Sequence, residues 1–169
     1  GYTAGEMMDL IVLPPHLASS PYLKEIYGSK EWNIFHIFRY YRGYYTGEVR
    51  DLFPQTTLSE AEMSAFLAEG DGDLASKAQA ALDINLEWAL RLADDALLLD
   101  PDNPVAFETK KAAMLALAEN TMNSQARNML LSDYLLMTDQ AHVDFGFGDT
   151  KHAFSSIQDN FVELMPMAT

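Results

Sequence analysis

With 49% hydrophobic and 21% charged side chains over 169 residues, the chain has the composition of a protein that buries a core, which excludes a disordered tail. It contains no cysteine, so disulfides and thiolate metal sites are excluded as well. The net charge of -14 is unevenly placed: residues 1 to 50 hold five acidic and five basic side chains, and residues 51 to 169 hold the other twenty and six. Phosphate backbones are repelled by such a surface, so nucleic acid is not an expected partner. No apolar run approaches the roughly 18 residues of a membrane span, and the first residues lack the basic-then-apolar order of a signal peptide.

Thr3-Ala4-Gly5-Glu6 reads as a capping box, with Thr3 as N-cap of a short helix through the apolar run Met7 to Leu13. Pro14 and Pro15 end it, and Pro21 opens a second short segment that Tyr27-Gly28 stops. From Glu31 to Tyr45, the residues Ile34, Ile37, Phe38, Tyr41 and Tyr45 recur at three- and four-residue steps, one stripe of an amphipathic helix, with Arg39 and Arg42 off the stripe. Gly43, Gly47 and Pro54 then punctuate a loop whose Tyr44, Tyr45 and Phe53 are too apolar for a solvated connector, so it should pack on its own core, a partner or a ligand.

Residues 74 to 138 predict four alanine- and leucine-rich helices, separated by Asp83-Ile84-Asn85, by Pro101-Asp102-Asn103-Pro104 and by Asn120 to Asn123. The spacing of Ala89, Ala96 and Pro101 matches the small-small-proline tail of a tetratricopeptide repeat. Lys111 stands where a second copy wants a small residue, and a solenoid needs about three repeats. The fold class is therefore all-α, antiparallel helical hairpins with one tetratricopeptide-like helix pair. Texture changes after Thr138, which divides a helical domain of residues 1–140 from a segment of 141–169 read as a linker and the start of a truncated domain.

No chemistry-bearing constellation assembles. His16, His36, His142 and His152 have no zinc-pair spacing, and His142-x-Asp144 is a two-residue match. Asp71-Gly72-Asp73 lacks the ligand rhythm of a calcium loop, and Asp100 to Asn103 is better read as a turn and helix cap. Catalytic and metal residues are thus expected to be absent from the chain.

Taken in order, several segments resemble the dimerisation domain of the alkyl sulfatases, metallo-β-lactamase-fold enzymes that hydrolyse sulfate esters. Gly1-x-Thr3-x-x-Glu6 leading to Leu13-Pro14-Pro15-x-Leu17 is similar to the family's opening, and Tyr27-Gly28 to its Tyr-Gly step. Gly43-Tyr44-Tyr45-Thr46-Gly47 with Leu52 and Pro54 resembles its aromatic glycine loop, although tryptophan and aspartate usually stand where Tyr44 and Thr46 are here. Asn85-x-Glu87-Trp88-Ala89-Leu90, Asp100-Pro101-x-Asn103-x-x-Ala106 and Arg127-Asn128 continue the match to about residue 137.

The resemblance implies that the chain is the middle portion of a larger hydrolase. Its zinc is expected in an N-terminal domain carrying a His-x-His-x-Asp-His motif, and a sterol-carrier-like domain is expected to begin near Ser155. The implied partner is a second copy, giving a homodimer. Ten large rings lie between Tyr22 and Phe53 in the electroneutral part of the chain, and Trp32, Phe38, Tyr41, Tyr44, Tyr45 and Phe53 are the residues expected at the interface. The competing reading of the repeat-like spacing is a stand-alone tetratricopeptide-like module that binds an apolar peptide.

Overall fold

A computed structural model describes residues 1–69 and 72–141. Among them the regular structure is all helical: α1 (Ala4–Leu10), α2 (Pro15–Ala18), α3 (Lys30–Arg42), α4 (Thr57–Ala68), α5 (Leu74–Ala81), α6 (Leu86–Leu99), α7 (Pro104–Asn120) and α8 (Ser124–Met137), with 3-10 turns at Pro21–Leu23 and Val49–Leu52. The chain divides into two compact units, Gly1–Tyr134 and Leu135–Thr169. In the second, the described residues are the end of α8 and the turn after it, where Asp139 takes a φ of 58° and Gln140 N–H donates to the Leu135 carbonyl at 2.9 Å.

Side-chain caps explain where most helices start. Thr3 and Glu6 form the reciprocal capping box: Glu6 N–H donates to Thr3 Oγ1 at 3.2 Å and Thr3 N–H to Glu6 Oε2 at 2.8 Å. Ser29, Thr56, Asp73, Asn85 and Asn103 cap α3 to α7 in turn, each accepting a backbone N–H from three residues on. The proline run acts differently from expectation. α1 already ends at Leu10, and Pro15 opens α2 as its first residue, where a missing N–H costs nothing. The segment expected from Pro21 to Tyr27 forms only the 3-10 turn Pro21–Leu23.

Helices α5, α6, α7 and α8 match the four helices read between residues 74 and 138. Helix α4, by contrast, was not anticipated. Its buried positions are the small Ala61 and Ala68, while Leu58, Met63, Phe66 and Leu67 are exposed, so its large apolar residues trace no core stripe. Thr56 as cap, followed by Thr57-Leu58-Ser59-Glu60, was the signal that could have revealed it.

The core of the first unit is built on alanine. Ala78, Ala89, Ala93, Ala106 and Ala113 are fully buried and cluster with the almost fully buried Leu74 and Leu92, and α6 packs at once on α4, α5 and α7. Methyl-sized side chains at these positions let the helix backbones approach closely. Buried Ala89 and Ala96 are the small residues of the repeat-like spacing, compatible with the tetratricopeptide-like pairing. Polar ties orient the layers: Ser64 Oγ donates to buried Asp95 at 2.8 Å, joining α4 to α6, and Lys110 Nζ lies 2.8 Å from Asp94 and 3.5 Å from Asp133, joining α7 to α6 and α8. Burial pushes the Lys110 pKa down, but the two carboxylates outweigh it and hold the ammonium above its ordinary value.

One of these caps yields a pH prediction. The Ser76 backbone N–H holds the exposed Asp73 carboxyl below its usual value of 3.8. A depressed folded pKa gives stability that is fully present above the unfolded pKa and lost as pH falls through the folded one. Asp73→Asn retains the cap but not the charge, so its unfolding free energy is expected to change less than the wild type's on acidification below pH 3.8. Parallel urea titrations with identical pH slopes would refute this.

Candidate self-association surface

Helix α3 packs on α1, and the stripe read from its sequence is only partly covered. Ile34 and Phe38 are buried, whereas Ile37 and Tyr41 are exposed. Phe38 departs from the expectation of an exposed interface ring, because it is only 8% exposed. The other expected residues are open to different degrees. Tyr41, Tyr44 and Phe53 are 78%, 80% and 75% exposed, Trp32 is at 39%, and Tyr45 is half-buried. Tyr40, at 83%, and Ile37, at 60%, add to the same exposed surface and were not among the expected interface residues. Both lie on α3, and Ile37 belongs to the stripe read from the sequence.

The loop after α3 is held by its own residues. Gly43 ends the helix at φ +69°, donating its N–H to the Arg39 carbonyl at 2.8 Å, a left-handed conformation that suits glycine. Gly47, at φ +100°, packs on the cap of α1, and a Cβ there would stand 3.1 Å from Thr3 Cγ2. Thr46, where the resemblance leads one to expect aspartate, donates its hydroxyl to Asp51 and accepts the Glu48 N–H at 3.3 Å. It therefore closes the turn internally.

Two hollows flank Ile37. One, of about 480 Å³, lies toward the C-terminal half of α3 and is lined by Thr3, Met7, Phe38, Tyr41 and Tyr45. The other, also about 480 Å³, lies toward the N-terminal half and is lined by Ile11, Leu13, Leu23, Asn33 and Ile34. Local charge is mixed: Glu31 stands in the first turn of α3 and Arg39 and Arg42 in its last, and the Arg39 guanidinium sits 5.4 Å from the Phe35 ring centroid. Backbone hydrogen bonding at the helix start is the main cause that holds the Glu31 carboxyl below its usual value.

Among the described residues, no three His, Cys, Asp or Glu side chains cluster to hold a metal, and no helix is long and apolar enough to cross a membrane. His142, Asp144, His152 and Asp71 lie outside the described residues.

Comparison with known proteins gives this surface a context. Residues 3–139 match the family described as alkyl sulfatase dimerisation. The chain is 32% identical over 133 residues to the linear primary-alkylsulfatase of a Pseudomonas species, covering 78% of this chain and 25% of that protein. It is 27% identical over 121 residues to an (R)-specific secondary-alkylsulfatase of Pseudomonas, covering 71% and 18%. The solved structure of a double mutant of a secondary alkyl sulfatase superposes with a TM-score of 0.77 at 25% identity, over 88% of this chain and 24% of that one. The chain thus spans a quarter or less of the length of the relatives it matches. With the family match running from the α1 cap through α8, the chain belongs to the alkyl sulfatase dimerisation family.

Proposed function

We propose that this chain is the segment through which a larger, zinc-dependent sulfuric-ester hydrolase forms a homodimer, and that it carries no catalytic site of its own. The observation that carries the reading is the concentration of exposed rings, Tyr40, Tyr41, Tyr44 and Phe53, in the electroneutral part of a strongly acidic chain. Aromatic side chains anchor interfaces, and two copies of an acidic protein meet with least repulsion where their charge is balanced. Family membership supports self-association, and residues 32 to 53 are where we place it. The acidic remainder argues against nucleic acid as a partner.

Light scattering at tens of micromolar tests the reading. A dimer is expected. A monomer that binds apolar peptides would favour the stand-alone tetratricopeptide-like module, for which the Ala89, Ala96, Pro101 spacing is the motive.

We place the zinc outside this chain on the family resemblance: a hydrolytic zinc needs about three clustered protein ligands to hold and activate its water, and the His-x-His-x-Asp-His motif that would supply them does not occur in this sequence. Purified chain is accordingly expected to hydrolyse no alkyl sulfate and to retain no stoichiometric zinc. Elemental analysis finding one or two tightly held zinc ions per chain would overturn that assignment.

A further inference from the structure

The relief of α3 points to a specific arrangement of the two copies, an inference that rests on the self-association reading above. We propose that two α3 helices pack antiparallel about a two-fold axis beside Ile37, and that each Tyr41 ring enters the other copy's hollow between α3 and the segment around Leu13 and Leu23.

Ile37 is the ridge between the two hollows, lining both and itself 60% exposed. A two-fold interface must be self-complementary, and the exposed Tyr41 ring at the edge of one hollow can meet the second hollow across the Ile37 ridge. With the axis at Ile37, an antiparallel helix sets Tyr41 opposite the partner's Asn33. These residues stand one turn to either side of the axis, about 6 Å along the helix at 1.5 Å per residue.

Asn33 lines the hollow together with the apolar Ile11, Leu13, Leu23 and Ile34, and Lys24, Glu25 and Lys30 are among its polar lining. A hollow lined by both apolar and polar groups suits a tyrosine, whose ring is apolar and whose hydroxyl needs a partner once buried. On a helical wheel Lys30, Asn33, Ile37 and Tyr41 fall on one stripe, beside the buried Ile34 and Phe38.

The helix dipoles favour the same orientation: antiparallel packing sets the N-terminal end of each α3 beside the C-terminal end of the other, whereas a parallel arrangement would set like ends together.

Because the chain has no native cysteine, cross-linking reads the geometry directly. Ile37→Cys is expected to give a disulfide-linked dimer on mild oxidation of the full chain. In the double variant Asn33→Cys/Tyr41→Cys the two thiols sit about 12 Å apart on one helix, too far to close within a chain, so its cross-links report contact between copies. Leu67→Cys, on the exposed face of α4, is expected to stay unlinked.

Tyr41→Ala should raise the dimer dissociation constant at least tenfold with helicity unchanged. If light scattering shows a dimer but Ile37→Cys and the double variant stay unlinked, or Leu67→Cys links as readily, the α3 arrangement is wrong while self-association stands. A wild-type monomer at tens of micromolar overturns both.

Discussion

Ala93→Leu is expected to destabilise the α4 to α7 bundle by about 2 kcal/mol, within the range measured for adding methylenes to a packed core. Ala93 is fully buried on α6, and α6 touches α4, α5 and α7 simultaneously. Three extra carbons there must push at least one helix outward, which also strains the Ser64 to Asp95 bond that ties α4 to α6. The urea midpoint should fall without a change in the slope of the transition. An unchanged midpoint would mean that the helices leave more room at this position than the contacts between them indicate. Leu67→Ala is the matching control, because Leu67 is 81% exposed and its removal should cost little.

The second large effect concerns association. Replacing Tyr41 and Tyr44 together by Ala is expected to weaken the dimer by roughly 2 kcal/mol or more, a rise in dissociation constant of about thirtyfold. Both rings are about four-fifths exposed in the single chain, so their loss should leave the monomer's unfolding almost unchanged. Phe38→Ala separates the two roles. Phe38 is buried, and truncating it should lower the melting temperature by opening a cavity. Sedimentation of the three proteins decides the matter. A Tyr41/Tyr44 variant that melts early yet remains dimeric would assign these rings to the core.

Several features were legible from the sequence because their causes are local. The capping box at Thr3 and Glu6 and the Asn103-Pro104 start of α7 each depend on residues within one turn. The four helices between residues 74 and 138 were equally readable, since apolar periodicity and caps agree there. The family resemblance drew on the same short motifs in their order.

What the sequence left open was which apolar surface is covered. Ile34, Ile37, Phe38 and Tyr41 make one stripe by spacing, yet only Ile34 and Phe38 are buried, because α1 is short and covers a narrow part of α3. Helix α4 stayed hidden because its contact with α6 uses Ala61 and Ser64, residues that hydrophobic patterning does not mark. The seat of the aromatic loop depends on Gly47 against Thr3, and that of the α7–α8 turn on Ser124 bonding to the Ile26 carbonyl at 2.6 and 2.9 Å. Periodicity encodes the direction in which a side chain points from its own helix. Whether another element stands in that direction depends on contacts between residues 44 and 98 positions apart, and only the tertiary structure supplies them.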